Sequence, residues 1–230
     1  MAHRDESKKD VDSDTDELDG HDTQRERIYR AAVASFDARG INRASMEGVA
    51  RQAGVSRQTV YFYFPDKVSL IAEVVLRHAR DWLADIGTRL VGQPPGVEKI
   101  VDAVLYTIDG SLRDTYLSLL LRPTTDRLAA ALASMPAVRE TQQAFWYPLF
   151  REARASGELR TDLDDEELLS WIELVGLMFM THGSERGFDE LEKVKTLLHH
   201  FMVPSLHRQA ALVVPDESRV APLRTSNASR

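Results

Sequence analysis

Arg57, Gln58, Thr59, Tyr61 and Tyr63 crowd into the short stretch between Ser56 and Pro65. A guanidinium, a carboxamide, a hydroxyl and two phenols suit the edges and phosphates of a DNA major groove, provided a helix turns them outward. The flanking residues supply that helix. Ser56 can cap its start, because its hydroxyl accepts from a free backbone N–H of the first turn. Pro65 ends it, because the residue before a proline is pushed out of the helical region. About two turns remain, too few to be stable alone, so the segment must pack on neighbours. Val60 and Phe64 lie four residues apart and face inward.

The neighbour that precedes it is legible too. Residues 45–54 read as another short helix, with Ser45 as N-cap and Met46, Val49, Ala50 and Ala53 as an apolar stripe. Gly54 can take the left-handed conformation that closes that helix. A helix, a glycine-centred turn and a second short helix make a helix-turn-helix, whose second helix enters the major groove. Before it, residues 24–38 form an amphipathic helix with Ile28, Ala31, Ala32, Ser35 and Phe36 on one face, ended by Gly40.

Residues 24–67 resemble the DNA-binding domain of the TetR (tetracycline-repressor) family of bacterial transcription regulators. The resemblance rests on Ile28-Tyr29-Arg30-Ala31-Ala32, Phe36, Gly40, the run Val49-Ala50-Arg51-Gln52-Ala53-Gly54-Val55-Ser56, and Val60-Tyr61-Phe62-Tyr63-Phe64-Pro65-Asp66-Lys67. It implies an all-α fold: an N-terminal three-helix helix-turn-helix domain plus a larger helical ligand-binding and dimerisation domain. It further implies base contacts by Gln58 and Tyr61 with Arg57 beside them, and phosphate contacts by Thr59, Tyr63, Lys67 and Ser45. A packing role within the small domain is the competing reading of Tyr61. Two positions depart from the pattern. Ala44 stands where a threonine is common, and Gly48 cannot supply the acid of a capping box opposite Ser45.

The chain has 230 residues and a formal net charge of -7, which by itself argues against a DNA partner. The distribution reverses that inference. Residues 1–22 carry Asp5, Glu6, Asp10, Asp12, Asp14, Asp16, Glu17, Asp19 and Asp22 against Arg4, Lys8 and Lys9, and read as a disordered acidic tail. The next segment is richer in Arg25, Arg27, Arg30, Arg39, Arg43, Arg51, Arg57 and Lys67 than in acids. The tail reads either as a solvating appendage or as a competitor with phosphate for that basic face.

The expected organisation is therefore an acidic tail over 1–22, a DNA-binding domain over 23–67, a helical ligand-binding and dimerisation domain over 68–207, and a mobile C-terminal tail over 208–230. Helical periodicity marks residues 67–90, 97–110, 115–121, 125–135, 137–155, 165–180 and 188–203, with a possible kink at Pro148 and a turn at 183–187. The segment 165–180 is apolar on more than one face and 188–203 repeats apolar residues at helical spacing. Paired with their symmetry mates these two helices would form a four-helix bundle, giving a homodimer; an ordinary internal core is the competing reading.

Tyr106, Tyr116, Phe145, Trp146, Leu149 and Met178 are the candidates to line a pocket for an apolar or amphipathic small-molecule effector. Each would serve equally as plain core. Without such an effector, control by a partner protein is the alternative.

There is no cysteine, hence no disulfide or thiolate metal site. His78, His182, His199, His200 and His207 match no metal-ligand spacing, and no Walker loop, nucleophile elbow or dinucleotide fingerprint occurs. Neither an enzyme nor a cofactor is expected. No apolar run reaches the roughly 18 residues of a membrane span, and no signal region opens the chain, so a cytoplasmic protein is expected. Asn227-Ala228-Ser229 fits a glycosylation sequon by chance.

Overall fold

The computed structural model describes residues 11–121, 127–182 and 191–208, and these are helical apart from short connections. The elements are α1 (Val11–Arg39), α2 (Met46–Ala53), α3 (Arg57–Tyr63), α4 (Lys67–Arg89), α5 (Val97–Arg113), a 3-10 turn (Leu117–Leu121), α6 (Arg127–Ala133), α7 (Pro136–Ala155), α8 (Asp165–His182), α9 (Leu191–Leu197) and α10 (Val203–Leu206), the last two joined by a π-type turn (Leu198–Met202). The β pairing among the described residues is one isolated bridge, Leu159 to His207.

α1 begins well before Gln24, so residues 11–22 of the expected disordered tail are continuous with a helix. An acid-rich sequence at a helix's N-terminal end is the sense that the helix dipole favours. Residues 1–10, the turn at 183–187 with Phe188, and the tail from 209 lie outside the described residues.

Two apolar cores organise the chain. The first gathers Ile28, Ala32 and Phe36 of α1, Val49 and Ala50 of α2, Val60 of α3 and Phe64 after it, and the first half of α4 through Leu70, Ile71, Val74 and Val75. The second gathers Ile86 and Leu90 with α5, α7, α8 and the C-terminal helices, around Ile100, Val104, Ile108, Trp146, Phe150, Leu168, Leu169 and Leu198. Full burial of each such side chain stabilises by about 1.5–3 kcal/mol. α4 therefore contributes to both cores. Tyr116, Leu119 and Leu132 also cross over: they follow α5 in sequence but pack in the first core.

The helix expected over 188–203 is not uniform. Pro204 has no N–H to return to the preceding turn, and the chain widens into the π-type turn just before it. That extra residue per turn shifts the register. Phe201, periodic with Val194 and Leu198 in sequence, is 73% exposed, while the next residue, Met202, is buried. Pro148 is accommodated inside α7 and Pro136 opens that helix, a position where a proline's missing N–H costs nothing.

α4 and α5 meet closely where Trp82 lies over Gly110. A Cβ on Gly110 would stand 2.0 Å from the indole. Gly110→Ala is expected to destabilise the fold by ~1–3 kcal/mol through this overpacking. A lowered urea midpoint with unchanged slope checks it; equal midpoints would show that the indole can yield freely.

Candidate nucleic-acid interface

Caps on α3 and on both its neighbours define its bounds. Ser45 accepts from the Gly48 N–H at 3.1 Å, the half of a capping box that glycine leaves possible. Gly54 closes α2 with φ 65, the left-handed region, and its N–H returns to α2 carbonyls. Arg27 of α1 then donates to the carbonyls of Ala53 and Gly54 at 2.8 and 3.0 Å, fixing the turn. Ser56 accepts from the Thr59 N–H at 3.0 Å and starts α3. Phe64 leaves the helix in extended conformation ahead of Pro65. Asp66 accepts from the Ser69 N–H at 2.7 Å and its hydroxyl at 2.8 Å, starting α4. Those bonds hold the Asp66 carboxyl below the usual carboxylate range.

Successive helical residues turn by about 100°, so position 62 points directly away from the side that holds 60 and 64. Val60 and Phe64 are buried, whereas Phe62 is 72% exposed. Gln58, four residues before Phe62, shares that outward side and is exposed. Phe62 was not among the residues expected outside, although periodicity alone would have placed it there. It meets Tyr63 edge-on at 5.1 Å.

Arg57 and Tyr61 form a second unit along the same helix. The guanidinium donates to the phenol oxygen at 3.4 Å and lies 5.2 Å from the ring centroid. Tyr61 is 38% exposed. Thr59 is half-buried and shares a 2.8 Å hydrogen bond with Ser56. Tyr63 is half-buried and donates to Gln24 Oε1 at 3.5 Å. Lys67 donates to the Asn42 carbonyl at 3.0 Å, tying the α1–α2 connection to the start of α4. Burial lowers the pKa of its ammonium group. Ser45 is exposed, and while its oxygen accepts the capping bond its proton stays available to an acceptor.

Not every arginine of the basic segment is free for a ligand. Arg25 pairs with Glu73 at 2.8 Å, Arg27 caps the turn and Arg30 sits 3.9 Å from Glu26. Arg39, Arg43, Arg51 and Arg57 are exposed.

Residues 28–74 match the family model of the bacterial regulatory proteins of the tetR family. This segment is what the chain shares with the tetR family.

Among relatives, the chain is 26% identical over 140 residues to the HTH-type transcriptional regulator SrpR of Pseudomonas putida, covering 61% of this chain and 65% of SrpR. It is 40% identical over 60 residues to an uncharacterised HTH-type transcriptional regulator of Mycobacterium tuberculosis, covering 26% of this chain and 32% of that protein. The chain thus spans less than two thirds of the length of these relatives. Among solved structures it is similar to FadR from Bacillus subtilis in complex with stearoyl-CoA, with 18% identity, a TM-score of 0.57, and coverage of 80% of this chain and 100% of that one. A putative TetR-family regulator from Mesorhizobium loti gives 23% identity, a TM-score of 0.51, and coverage of 80% and 95%. These two likenesses carry the fold alone.

The residues expected to line an effector pocket do not all pack together. Phe145 and Trp146 meet edge-on at 5.0 Å in the second core, near Leu149 and with Tyr106 packed against the same cluster. Tyr116 is elsewhere, in the first core, its phenol donating to Asp37 at 2.5 Å. Met178 is 50% exposed on α8 beside Trp171 and Leu174. Tyr116 is thus bonded to α1, and Met178 faces outward because α8 turns Leu168, Ile172, Val175 and Phe179 inward. Among the described residues, no group of three or more His, Cys, Asp or Glu is placed to hold a metal ion, and no helix is long and apolar enough to cross a membrane.

Asp66 generates a pH-dependent expectation. Its folded pKa is depressed, so its contribution to stability is present above the unfolded carboxylate value and is lost as pH falls through the folded one. Asp66→Ala is expected to cost about 0.5–2 kcal/mol at neutral pH. The gap to the parent chain should close on acidification below about pH 4; a gap that stays constant to pH 2 would show that the charged cap contributes nothing.

Proposed function

We propose that this chain is a dimeric, sequence-specific DNA-binding transcription regulator that reads a near-palindromic operator with α3 and is released by a small-molecule ligand. The observation that carries the reading is the division of α3: Val60 and Phe64 are buried, while Arg57, Gln58, Tyr61 and Phe62 stand exposed. The names of the relatives point the same way, SrpR being a regulator and BepR of Brucella suis, 38% identical over 53 residues, a repressor.

In this reading Gln58 and Tyr61 contact base edges, with Arg57 adding a guanidinium held by the Tyr61 phenol. Thr59, Tyr63, Lys67 and Ser45 hold phosphates. Phe62 adds an apolar surface suited to a thymine methyl. Two copies of α3 enter successive major grooves about 34–36 Å apart.

The dimer face is α8. Trp171, Leu174 and Met178, spaced at three and four residues, form an exposed apolar stripe opposite the buried one. A single-chain fold has no use for a second apolar stripe, whereas a symmetry mate buries it. Exposed Phe201 lies on the segment expected to share this contact.

In this reading the effector site lies in the second core among α4, α5 and α7. Tyr106, Phe145, Trp146 and Leu149 provide the apolar wall. Trp82 Nε1 and Gln142 Oε1 are buried with no protein hydrogen-bond partner, a donor and an acceptor that a bound polar group would satisfy. The ligand is accordingly amphipathic. Shifting such a regulator from 1:99 to 99:1 requires roughly 5.5 kcal/mol of differential affinity.

Selection from random duplex DNA should enrich a two-fold symmetric site; a folded dimer that enriches nothing would overturn the reading. On that site Gln58→Ala should change the preferred base at one position of each half-site, at ~1–3 kcal/mol. A uniform loss across all sequences would remove Gln58 as a base reader. Lys67→Ala should lower the salt slope by ~1 for each copy. Replacing a contacted thymine by deoxyuridine should weaken the parent chain but not Phe62→Ala; equal weakening of both would exclude the methyl contact.

A further inference from the structure

We propose that Tyr116 is a positioning residue that fixes the spacing between the two reading helices, through its hydrogen bond to Asp37. This rests on the dimeric DNA-binding reading above.

Tyr116 follows α5 in sequence, yet its side chain is buried against the helices that carry α3. Its phenol donates to Asp37 Oδ1 at 2.5 Å and lies 3.4 Å from the Val33 carbonyl, one turn earlier on α1. The ring sits against His78 of α4, with centroids 4.5 Å apart and planes at 48°. His78 in turn is bonded through Nδ1 to Asp114 Oδ2 at 3.0 Å. The other oxygen of Asp114 accepts from the Tyr116 and Leu117 N–H groups at 2.7 and 2.9 Å. Burial and the Asp37 carboxylate push the phenol well above its ordinary pKa, so it stays a donor.

The geometry matters because of where the other attachment lies. α1 also meets α4 through Arg77, which pairs with Glu26 and Glu73 at 2.5 and 2.8 Å and lies 4.0 Å from the Tyr29 ring centroid. A body held only along α4 can pivot about it. Tyr116 reaches α1 from a different element, the connection after α5, and near the opposite end of α1's described contacts from Glu26. Two separated attachments remove the pivot. The hydroxyl therefore does little for the first core itself, whose packing the ring supplies, and much for its orientation on the rest of the chain.

The test uses the full chain and Tyr116→Phe, Asp37→Ala and Asp37→Asn. Phenylalanine keeps the ring, and asparagine keeps a carbonyl acceptor. Binding is measured to the selected operator, to versions with the half-sites moved one base pair closer or farther, and to a single half-site. The parent chain should prefer the selected spacing. In Tyr116→Phe and Asp37→Ala that preference should fall by at least about threefold, with half-site affinity unchanged, and Asp37→Asn should retain much of it. An unchanged spacing preference, or a loss equally large on the half-site, overturns the proposal. Hydrogen exchange without DNA is the second arm: amides of residues 33–40 should exchange faster in Tyr116→Phe, and unchanged exchange overturns it whatever the DNA result. If the parent chain enriches no symmetric site, the regulator reading fails, and exchange alone decides whether Tyr116 holds α1.

Discussion

Burial of Val60 and Phe64 is the constraint on which the rest of this molecule depends. A helix of seven residues cannot hold itself together. Everything around α3 compensates for that: α1 and α2 offer the apolar floor, Ser56 and Gly54 set its entry, Pro65 enforces its end, and Asp66 restarts the chain as α4. Once the two inward residues are fixed, helical geometry leaves no choice about which side chains remain outside. The polar and aromatic face is thus a by-product of packing, and its exposure is as well determined as the core.

α4 transmits that determination. Its first half completes the core beneath α3 and its second half completes the core of the C-terminal helices. A shift of α4 in one core is therefore a shift in the other. Interiors packed at solid density pass such displacements on rather than absorbing them. Lys67, at the first position of α4, ties that helix to the α1–α2 connection, so the strut is anchored at the end nearest α3.

Sequence made the local features legible and the non-local ones not. The caps at Ser45 and Ser56, the left-handed Gly54 and the stop at Pro65 each depend on residues within four positions, and all stand where the sequence put them. The periodicity of α5, α7 and α8 was readable for the same reason. Phe62 was readable but unread, since its place opposite the buried pair follows from counting. Three other features required long-range information. The π-type turn before Pro204 moves Phe201 outward, and no periodicity reports an inserted residue in advance. Tyr116 leaves its sequence neighbours to join α1, 79 positions away from Asp37. Arg27 is spent on the α2 carbonyls, which a charge count treats as free positive charge. The family resemblance gave the all-helical architecture and singled out α3, but could not say which of this chain's own arginines and tyrosines are committed elsewhere.

The sharing of α4 bears on modularity. A cut at the end of α3 would leave behind Leu70, Ile71, Val74 and Val75, and with them the underside of the first core. Extending the cut to mid-helix would restore those four but still forfeit Tyr116, Leu119 and Leu132, which arrive from beyond α5. The N-terminal helices are therefore not a cassette separable at a single seam. An exchange of this core with another chain would have to carry two separate stretches of sequence together.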